Sequence, residues 1–240
     1  MNYQQLTRLF IPSSLEVEII NWHNPTDANY LFNVMRKKAG QELLIFNSED
    51  GEYLAEIISI NHKQISFKIL KKTRNIKAET ELKLIFAPIK QHRLTFLLEK
   101  ATELGVTHLI PIQTKHSVID KVNLSKWQIY VKEAAEQCRR LSLPHIENLQ
   151  SLDQLINNWP KEDKIIFCNE REKNLFLPKY LANNHKSINF MIGPEGGFSE
   201  LEINKLLKLD FIKSCHLGNR ILRAETAALT VLSMSQEYLI

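Results

Sequence analysis

The residues best suited to chemistry in this sequence are glycines that follow predicted strands. The chain contains seven glycines, and Gly193, Gly196, Gly197 and Gly218 all lie between residues 191 and 228. Glycine is favoured where the backbone adopts unusual dihedral angles or where another group approaches the main chain closely. This concentration therefore indicates a site lined by backbone amide and carbonyl groups, which would hold a ligand through hydrogen bonds.

The first glycine loop, residues 193–199, reads GPEGGFS and leads directly into a predicted helix. Ser199 and Glu202 have the S-x-x-E spacing of a capping box, which marks a helix N-terminus. The loop matches neither the P-loop nor the G-x-G-x-x-G pattern, and Glu195 would repel a phosphate. It therefore favours a neutral or cationic ligand; the alternative is a tight strand-to-helix turn that binds nothing.

A second loop, residues 217–227, reads LGNRILRAETA and mixes apolar residues with charged ones. Its apolar residues follow neither a helical nor a strand period. One interpretation is that they line a pocket for a flat apolar ring. The other, which the residues alone favour, is that Ile221 and Leu222 fill the core while Arg223 and Glu225 are solvated.

The segment 133–140, EAAEQCRR, ends a long predicted helix. Arg139 and Arg140 are suited to RNA phosphates, although cations are equally favoured at a helix C-terminus. No histidine stands near Cys138 in a catalytic pattern, so a packed thiol is expected there. The eight histidines of the chain show no metal-ligand spacing, and no metal site is predicted.

Strands and helices must position these segments. The pattern of residues 1–72 predicts a small β-rich unit. An alternating strand, a helix from Asp27 to Ala39 stopped by Gly40, and a hairpin signal at residues 48–51 support it. The polar stretch Lys71–Glu81 is predicted to be a linker. The predicted strands of this unit are Leu15–Ile20, Glu42–Phe46, Tyr53–Ile60 and Ile65–Leu70.

After residue 81 strands and helices alternate, which predicts an α/β domain with a parallel sheet and helices on both faces. Ligands of such sheets bind at the carboxyl ends of the strands, where both glycine loops are expected. The predicted strands are Leu82–Pro88, Val106–Ile112, Lys164–Cys168, Ile188–Ile192 and Ile212–Leu217. The predicted helices include Gln91–Leu104, Asn123–Arg140 and Leu152–Trp159.

The composition is that of an ordinary globular protein, with 44% hydrophobic and 24% charged residues among 240. The net charge of +4 is compatible with an RNA partner but does not by itself indicate one. Three cysteines without metal or redox spacing favour a reducing compartment. No apolar run is long enough to span a membrane and the N-terminus lacks a signal-peptide pattern, so a cytoplasmic protein is expected.

Four motifs together resemble the 16S ribosomal RNA uridine-N3-methyltransferase family, which belongs to the knotted SPOUT class: IGPEGGFSxxE, LGNRILRAETAAL, EKATELGV and EAAEQCRR. The resemblance extends from Arg8-Leu9-Phe10 to the last predicted helix, and the order and spacing of the glycine loops are its most specific part. The sequence departs from the family at four positions. Asn219 replaces a usual proline, Arg139 a common glycine, and His116 and Ser142 frequent arginines.

The resemblance implies an α/β fold whose C-terminal parallel-sheet domain, residues 73–240, contains a deep trefoil knot. A small PUA-like β-barrel domain for RNA binding, residues 1–72, would precede it. The strand ending near Leu217 and the final helix would thread through an earlier loop, an arrangement that is rare among proteins. The family is expected to act as a homodimer with a site built from both chains.

S-adenosyl-L-methionine is the implied cofactor, with its adenine among the backbone groups of Leu217–Leu222 and with Gly193–Gly196 completing the wall. The implied substrate is N3 of a specific uridine in the 16S ribosomal RNA of the small ribosomal subunit. The cofactor-binding residues expected on this basis are Ile192, Gly193, Pro194, Glu195, Gly196, Gly197, Leu217, Gly218, Asn219, Ile221, Leu222 and Ala227.

Methyl transfer to N3 requires loss of the proton that N3 carries, because the protonated nitrogen is a poor nucleophile. A nearby cation stabilises the resulting anion, and Arg140 or Arg223 is the candidate by motif position. Glu225 or Glu136 is the candidate proton acceptor.

Five basic residues are candidate contacts to RNA phosphates. The alternative for each is an ordinary solvated surface position. Two other functions remain open: a knotted methyltransferase acting on another RNA or on a ribose 2′-hydroxyl, and a non-catalytic RNA-binding or ribosome-assembly protein. The candidate phosphate contacts are Arg8, Arg36, Lys37, Lys38 and Lys90.

Overall fold

The structure of the chain, a computed structural model, describes residues 3–172, 176–177, 181 and 187–239. It divides into two compact units. Unit 1 comprises residues 1–78 and 135–143, and unit 2 comprises residues 79–134 and 144–240. The predicted domain boundary after residue 72 stays a prediction.

The strands of unit 1 are β1 (Arg8–Phe10), β2 (Ile19–Trp22), β3 (Glu42–Asn47), β4 (Gly51–Ile60) and β5 (Ile65–Arg74). They form one sheet in the order β1-β3-β4-β5-β2. β1 is parallel to β3, and the other neighbours are antiparallel. Leu9, Ile45 and Phe67 are among the fully buried residues of its core. The sheet confirms the β-rich character predicted for this part of the chain.

The predicted helix Asp27–Ala39 is shorter in the structure and begins earlier. α1 (Pro25–Asn29) starts at Pro25 because the Asn24 side chain accepts hydrogen bonds from the backbone N–H groups of Thr26 and Asp27, at 3.0 and 3.1 Å. A π-helical turn, Tyr30–Val34, follows it. Met35 caps this turn, and the left-handed φ of 53° at Arg36, the first of the basic residues Arg36, Lys37 and Lys38, ends the helical path.

The predicted linker Lys71–Glu81 is wrong over its first four residues and at Glu81, where the next strand begins. β5 continues to Arg74, which pairs in register with Glu52 of β4. Charged side chains are compatible with a strand here, because an antiparallel sheet can leave one face in water. The predicted strand Leu15–Ile20 is also displaced to β2. The buried Leu15 donates its N–H to the Asp50 carboxylate at 2.8 Å rather than to a neighbouring strand.

The strands of unit 2 are β6 (Glu81–Phe86), β7 (His108–Gln113), β8 (His145–Ile146), β9 (Gln150–Ser151), β10 (Ile165–Cys168), β11 (Ser187–Ile192) and β12 (Ile212–Cys215). They form a parallel sheet in the order β12-β10-β11-β6-β7-β8, with β9 also paired to β7. The predicted parallel sheet is therefore confirmed.

The α-helices described after residue 79 are α2 (Gln91–Glu103), α3 (Leu124–Cys138), α4 (Leu152–Asn158), α5 (Glu200–Leu206) and α6 (Ala224–Ser235). Alternate residues of one strand enter different cores: Leu84 and Phe86 belong to one cluster, whereas Ile85 belongs to another. Because successive side chains of a strand point to opposite faces, both faces of the sheet are covered. α3 ends two residues before the predicted Arg140, because Arg139 takes the left-handed φ of 65°. No helix in the described ranges is long and apolar enough to cross a membrane.

Candidate active site

A cavity of about 280 Å³ opens in unit 2 at the carboxyl ends of β10, β11 and β12. This is the edge at which ligands of parallel sheets bind. Every predicted cofactor residue lines it except Gly196, which lies within the same loop. The predicted residues in the lining are Ile192, Gly193, Pro194, Glu195, Gly197, Leu217, Gly218, Asn219, Ile221, Leu222 and Ala227.

The first glycine loop is shaped by steric requirements at two of its glycines. A Cβ at Gly193 would lie 2.7 Å from the Phe198 ring, so no side chain fits there unless the ring moves. Gly197 has a φ of 66° and donates its N–H to the Pro194 carbonyl at 2.9 Å, which closes a turn. The loop is therefore held by its own packing and hydrogen bonds, and its main chain faces the cavity.

His116 braces the same loop from the segment after β7. Its Nδ1 lies 3.1 Å from the Gly196 carbonyl oxygen and 3.2 Å from that of Gly197. Because carbonyl oxygens only accept hydrogen bonds, the proton of the ring belongs on Nδ1 in this arrangement. A Cβ at Gly196 would lie 3.0 Å from the His116 Cβ. A side chain at position 196 would therefore require His116 to shift by a few tenths of an ångström.

The helix after this loop begins as the sequence predicts. The Glu202 carboxylate accepts the Ser199 N–H at 2.8 Å, and the Ser199 hydroxyl accepts the Glu202 N–H at 3.4 Å, which completes the capping box of α5. Glu202 also accepts the Lys115 N–H at 2.8 Å. Glu202 therefore fixes both the start of α5 and the segment that carries His116.

The burial of the apolar residues in the second glycine loop distinguishes between the two interpretations, pocket lining and core filling. Leu217 and Leu222 are partly buried and pack against the larger core of unit 2. Ile221, in contrast, is 83% exposed and lines the cavity. The core-filling interpretation is therefore wrong for Ile221. The loop turns at Gly218, whose φ is 118° and whose N–H donates to His216 Nδ1 at 3.2 Å.

The polar part of the cavity wall carries charges of both signs. Glu170 and Glu195 line it together with Arg220 and Arg223. Arg223 is the N-cap residue of α6, and its side chain makes no capping hydrogen bond. The exposed guanidinium of Arg223, in the same wall as the carboxylates of Glu170 and Glu195, suits a ligand that itself carries positive and negative groups. Glu170 and Arg220 have no sequence signal of their own, since each lies in a loop without periodicity.

Glu225 stands in the first turn of α6 next to this wall, and its side chain is 12% exposed. Its Oε1 lies 3.6 Å from Arg93 Nε, whereas its Oε2 is buried without a hydrogen-bond partner among the described residues. Buried carboxylate oxygens are normally satisfied. Glu225 is therefore a carboxylate with one oxygen still able to accept a proton or a hydrogen bond.

Arg93 connects Glu225 to the first glycine loop. Its Nη1 lies 3.3 Å from Glu195 Oε1, so one guanidinium on α2 pairs with carboxylates from both loops. Sequence reasoning missed Arg93, because its partners lie more than 100 residues further along the chain. The planar fork of an arginine is suited to bridging two carboxylates.

The other predicted catalytic pair, Glu136 and Arg140, lies in unit 1. Glu136 Oε1 accepts the Phe10 N–H at 3.0 Å, which joins the end of α3 to β1. Arg140 Nε donates to the Ser142 hydroxyl at 2.8 Å. Ser142, one of the departures from the family, thus holds the Arg140 side chain. Both residues have structural partners within unit 1, and their catalytic roles stay predictions.

The environment of Arg8 is not the one predicted for a phosphate contact. The residue is 6% exposed, and its Nε donates to Glu52 Oε2 at 2.8 Å. Its Nη1 donates to the carbonyls of Ala135 and Glu136, at 2.8 and 3.1 Å, and its Nη2 donates to the Arg140 carbonyl at 2.9 Å. The last carbonyls of a helix lack intrahelical partners. Arg8 therefore satisfies the C-terminus of α3 and is not accessible to RNA.

The remaining candidate phosphate contacts lie at or near the surface. Arg36, Lys38 and Lys90 are exposed, and Lys37 is partly buried. Lys90 precedes α2 as its N-cap residue and makes no side-chain capping bond. Their exposure is compatible with either prediction, a phosphate contact or a solvated surface.

The cysteines near the cavity are not set up as nucleophiles. Cys168 lines the cavity and pairs in register with Cys215 of β12. Burial raises the pKa of the Cys215 thiol to about 12 and raises the pKa of the Cys168 thiol as well. Both thiols are therefore protonated near neutral pH. Among the described residues, no group of three or more His, Cys, Asp and Glu side chains is arranged to hold a metal ion.

Comparison with known families defines the class of protein. Residues 77–236 match an RNA methyltransferase domain, and residues 24–70 match an RNA methyltransferase PUA domain. The predicted fold class, a SPOUT methyltransferase domain preceded by a PUA-like domain, is confirmed by these matches and by the similar structures below.

Curated relatives narrow the class further. A ribosomal RNA small subunit methyltransferase E from Rickettsia conorii is 33% identical over 232 residues, which cover 94% of this chain and 93% of that protein. The protein of the same name from Bacillus subtilis is 31% identical over 221 residues and 86% of each chain. This chain therefore belongs to the family of ribosomal RNA small subunit methyltransferase E, which confirms the resemblance seen in its motifs.

Two solved structures share the whole fold. A ribosomal RNA small subunit methyltransferase E from Neisseria gonorrhoeae, bound to S-adenosyl methionine, aligns with a TM-score of 0.85 and 25% identity over 97% of this chain and 98% of that one. A methyltransferase from Legionella pneumophila in complex with the same cofactor aligns with a TM-score of 0.84 and 28% identity over the same shares.

Proposed function

We propose that this protein is an S-adenosylmethionine-dependent methyltransferase that methylates N3 of a specific uridine in the 16S ribosomal RNA of the small ribosomal subunit. The observation that carries the proposal is the cavity of unit 2, whose wall is formed by both glycine loops. Family membership indicates the class of reaction, and the residues in and next to the cavity are proposed to bind the cofactor and to promote the reaction. The alternatives of a different RNA, a ribose 2′-hydroxyl or a non-catalytic role have no observation in their favour.

The residues of the cavity fit the proposed cofactor. Exposed Ile221 and partly buried Leu217 and Leu222 offer an apolar surface for an adenine ring, beside main-chain groups of Gly218 that can read its edge. The carboxylates of the wall, Glu170 and Glu195, suit the sulfonium and ammonium groups, and Arg220 suits the carboxylate. The charges and apolar residues of the described wall are therefore compatible with the cofactor.

The chemistry supplied by S-adenosylmethionine, when bound, is an electrophilic methyl group on a sulfonium. The protein must remove the proton from the uridine N3 and stabilise the anion that results. Glu225 is the proposed proton acceptor, because its Oε2 is buried without a partner among the described residues, in the first turn of a helix whose Ala224 and Ala227 line the cavity. General-base catalysis of this kind contributes about 10²- to 10⁴-fold to a rate.

Arg223 is the proposed cation for the uridine anion, because it lines the cavity and lies two residues before Glu225. Arg93 is proposed as a positioning residue that orients the Glu225 carboxylate through Oε1. Glu136 fits the role of base less well than Glu225, because one of its oxygens already accepts a backbone N–H. Arg140 remains an alternative cation, to be separated from Arg223 by substitution.

Several further properties complete the proposal. RNA phosphates are bound by Arg36, Lys37 and Lys38 of unit 1 and by Lys90 of unit 2. The protein acts as a homodimer in the cytoplasm, without a metal ion. The segment ending at Leu217 and α6 threads through an earlier loop of the chain to form a deep trefoil knot. The resemblance seen in the sequence motifs supports the homodimer and the knot.

The proposed reaction is tested by mapping methylated nucleosides in small-subunit ribosomal RNA from cells with and without the gene. Loss of a single N3-methyluridine on deletion, restored by the wild-type gene, is the expected result. Loss of a 2′-O-methyl nucleoside, or of a base methylation elsewhere, would select another methyltransferase function. Retention of every modification, together with failure of the purified protein to bind the cofactor in calorimetry, would select the non-catalytic alternative.

A further inference from the structure

The segment that follows β7 forms a turn that contacts the first glycine loop. Ser117 donates its N–H to the Thr114 carbonyl at 3.1 Å, and its hydroxyl accepts the Thr114 N–H at 2.9 Å. Between them, Lys115 donates its N–H to Glu202, in the first turn of α5, at 2.8 Å. The turn is therefore fixed both by its own hydrogen bonds and by α5, and it holds the His116 side chain on a well-determined backbone.

The peptide group that joins Gly196 to Gly197 is held at both ends. Its oxygen, which belongs to Gly196, lies 3.1 Å from His116 Nδ1. Its N–H, which belongs to Gly197, donates to the Pro194 carbonyl at 2.9 Å. His116 Nδ1 also lies 3.2 Å from the carbonyl oxygen of Gly197, in the next peptide group. Because a peptide group is planar, hydrogen bonds at both of its ends fix the direction in which the plane faces.

A peptide group between two glycines is easily reoriented. Reorientation requires coupled changes in ψ of Gly196 and φ of Gly197, and glycine has no Cβ that would restrict either angle. Without His116, this peptide group would lose the hydrogen bond to its oxygen and keep only the one from its N–H. A change in its orientation would displace Gly197 and its bond to Pro194, and both of these residues line the cavity of unit 2.

The position of His116 favours an effect on the cavity wall over an effect on the core. The residue is exposed, so its side chain adds little buried apolar surface to unit 2. Its two hydrogen bonds are instead made to the main chain of a loop whose other face lines the cavity. Removal of these bonds should therefore change the affinity for a ligand of the cavity more than the stability of the fold.

We propose that His116 is a positioning residue for the cofactor: its Nδ1–H keeps the Gly196–Gly197 peptide group in the orientation that binds S-adenosylmethionine, before the cofactor enters. The inference rests on the proposed function, which supplies the ligand. A wall that populates two orientations binds its ligand with an affinity reduced by the fraction of molecules in the competent one. His116 therefore acts on the affinity for the cofactor and not on the methyl-transfer step.

Two substitutions of similar shape separate the donor from the side chain that carries it. The amide nitrogen of His116→Asn can donate from nearly the position of Nδ1, whereas the carboxylate of His116→Asp offers only acceptors to the two carbonyls. In calorimetry of the full chain with S-adenosylmethionine, His116→Asn is expected to bind within about twofold of wild type and His116→Asp at least about tenfold more weakly. His116→Ala, which removes the donor alone, is expected to lose about three- to tenfold. His23→Asp, at an exposed histidine of unit 1, is the matched control and is expected to bind as wild type does.

Kinetics separate this role from a general loss of structure. The KM for the cofactor is expected to rise at least about tenfold in His116→Asp, with kcat at saturating cofactor within about twofold of wild type, because bound cofactor selects the competent orientation. The urea midpoint of unfolding is measured for each variant, and His116→Ala carries the test if His116→Asp does not fold.

Cofactor affinity equal to wild type in His116→Asp and His116→Ala would overturn the proposal, as would a loss in His116→Asn as large as that in His116→Asp. A fall in kcat with an unchanged KM for the cofactor would also overturn it.

Nitrogen NMR of the cofactor-free protein tests the hydrogen bonds directly. At a pH above the usual range of histidine titration, the ring of His116 is expected to carry its proton on Nδ1, and its signals are assigned by their loss in His116→Asn. A proton on Nε2 would overturn the proposal whether or not the protein binds the cofactor. Failure of the wild-type protein to bind S-adenosylmethionine, with the proton on Nδ1, would count against the proposed function and not against the contact that His116 makes.

Discussion

At the scale of single residues, the most informative group is the Glu225 carboxylate. One oxygen pairs loosely with Arg93 and the other is buried without a partner among the described residues. A structural carboxylate would normally be satisfied on both oxygens. The arrangement therefore supports the role of proton acceptor that motif position suggested, and it separates Glu225 from Glu136.

Glu225→Gln tests this role. The amide keeps the size of the side chain but cannot take a proton, so kcat for RNA methylation is expected to fall by about 100-fold or more. Cofactor binding, measured by calorimetry, is expected to persist. Glu136→Gln is the matched control, because it removes a carboxylate that already accepts a backbone N–H. Near-normal turnover in Glu225→Gln would exclude Glu225 as the base.

Arg93 is predicted to act by orienting two carboxylates. Arg93→Gln removes both ion pairs and is expected to lower kcat more than it raises KM, because Oε1 of Glu225 loses the partner that orients the carboxylate. Arg93→Lys keeps one charge but cannot bridge two partners, so it is expected to recover turnover only in part. Full activity in both variants would show that the bridge has no part in the reaction. Circular dichroism at matched temperature provides the control for folding.

At the scale of elements, the first glycine loop combines steric and electrostatic requirements in seven residues. Gly193→Ala introduces a Cβ 2.7 Å from the Phe198 ring. Overpacking of this kind costs about 1–3 kcal/mol of unfolding free energy, and the displaced loop is expected to weaken cofactor binding. Adding Phe198→Leu removes the ring that clashes. The double variant is therefore expected to bind the cofactor more tightly than Gly193→Ala alone; equal or weaker binding would contradict the proposed cause.

The end of α3 depends on a buried arginine from β1. Arg8→Met leaves the Glu52 carboxylate and the helix carbonyls with fewer donors, and breaking a buried pair of this kind costs about 3–5 kcal/mol. Urea denaturation measures the loss. Arg8→Met/Glu52→Gln is expected to be more stable than Arg8→Met, because it also removes the buried charge of Glu52, which would otherwise keep only Arg74 at 3.7 Å as an ion-pair partner. A loss that the second substitution does not reduce would mean that the ion pair is not its source.

The elements also show which features of the structure can be predicted from a single sequence. Strand–helix alternation gave the parallel sheet, and the S-x-x-E spacing gave the start of α5, because both depend on local patterns. Arg93, His116 and the burial of Arg8 were not predictable, since their partners lie far away in the chain. The wrong prediction at Lys71–Arg74 has a different cause. Charged residues indicate solvent exposure, but both a linker and the exposed face of a strand are solvated, so charge does not distinguish between them.

At the scale of the whole molecule, the proposed RNA partner predicts a strong dependence on salt. The four remaining surface candidates, if each neutralises one phosphate, contribute about 0.7–0.9 each to the slope of log K against log salt. Replacing Lys37 and Lys38 by Gln is expected to reduce this slope without changing cofactor affinity. Binding that does not change with salt would remove these residues from the account. Filter binding over a range of salt concentrations measures both quantities.

The central claim is that the cavity of unit 2 supports methyl transfer to N3 of a uridine in small-subunit ribosomal RNA. The most direct measurement incubates the purified protein with methyl-labelled S-adenosylmethionine and unmodified small ribosomal subunits, digests the RNA to nucleosides and identifies the labelled product by mass spectrometry. The account predicts label in N3-methyluridine at one position, and its loss in Glu225→Gln. Label in any other nucleoside, or none in subunits that wild-type protein binds, would contradict it.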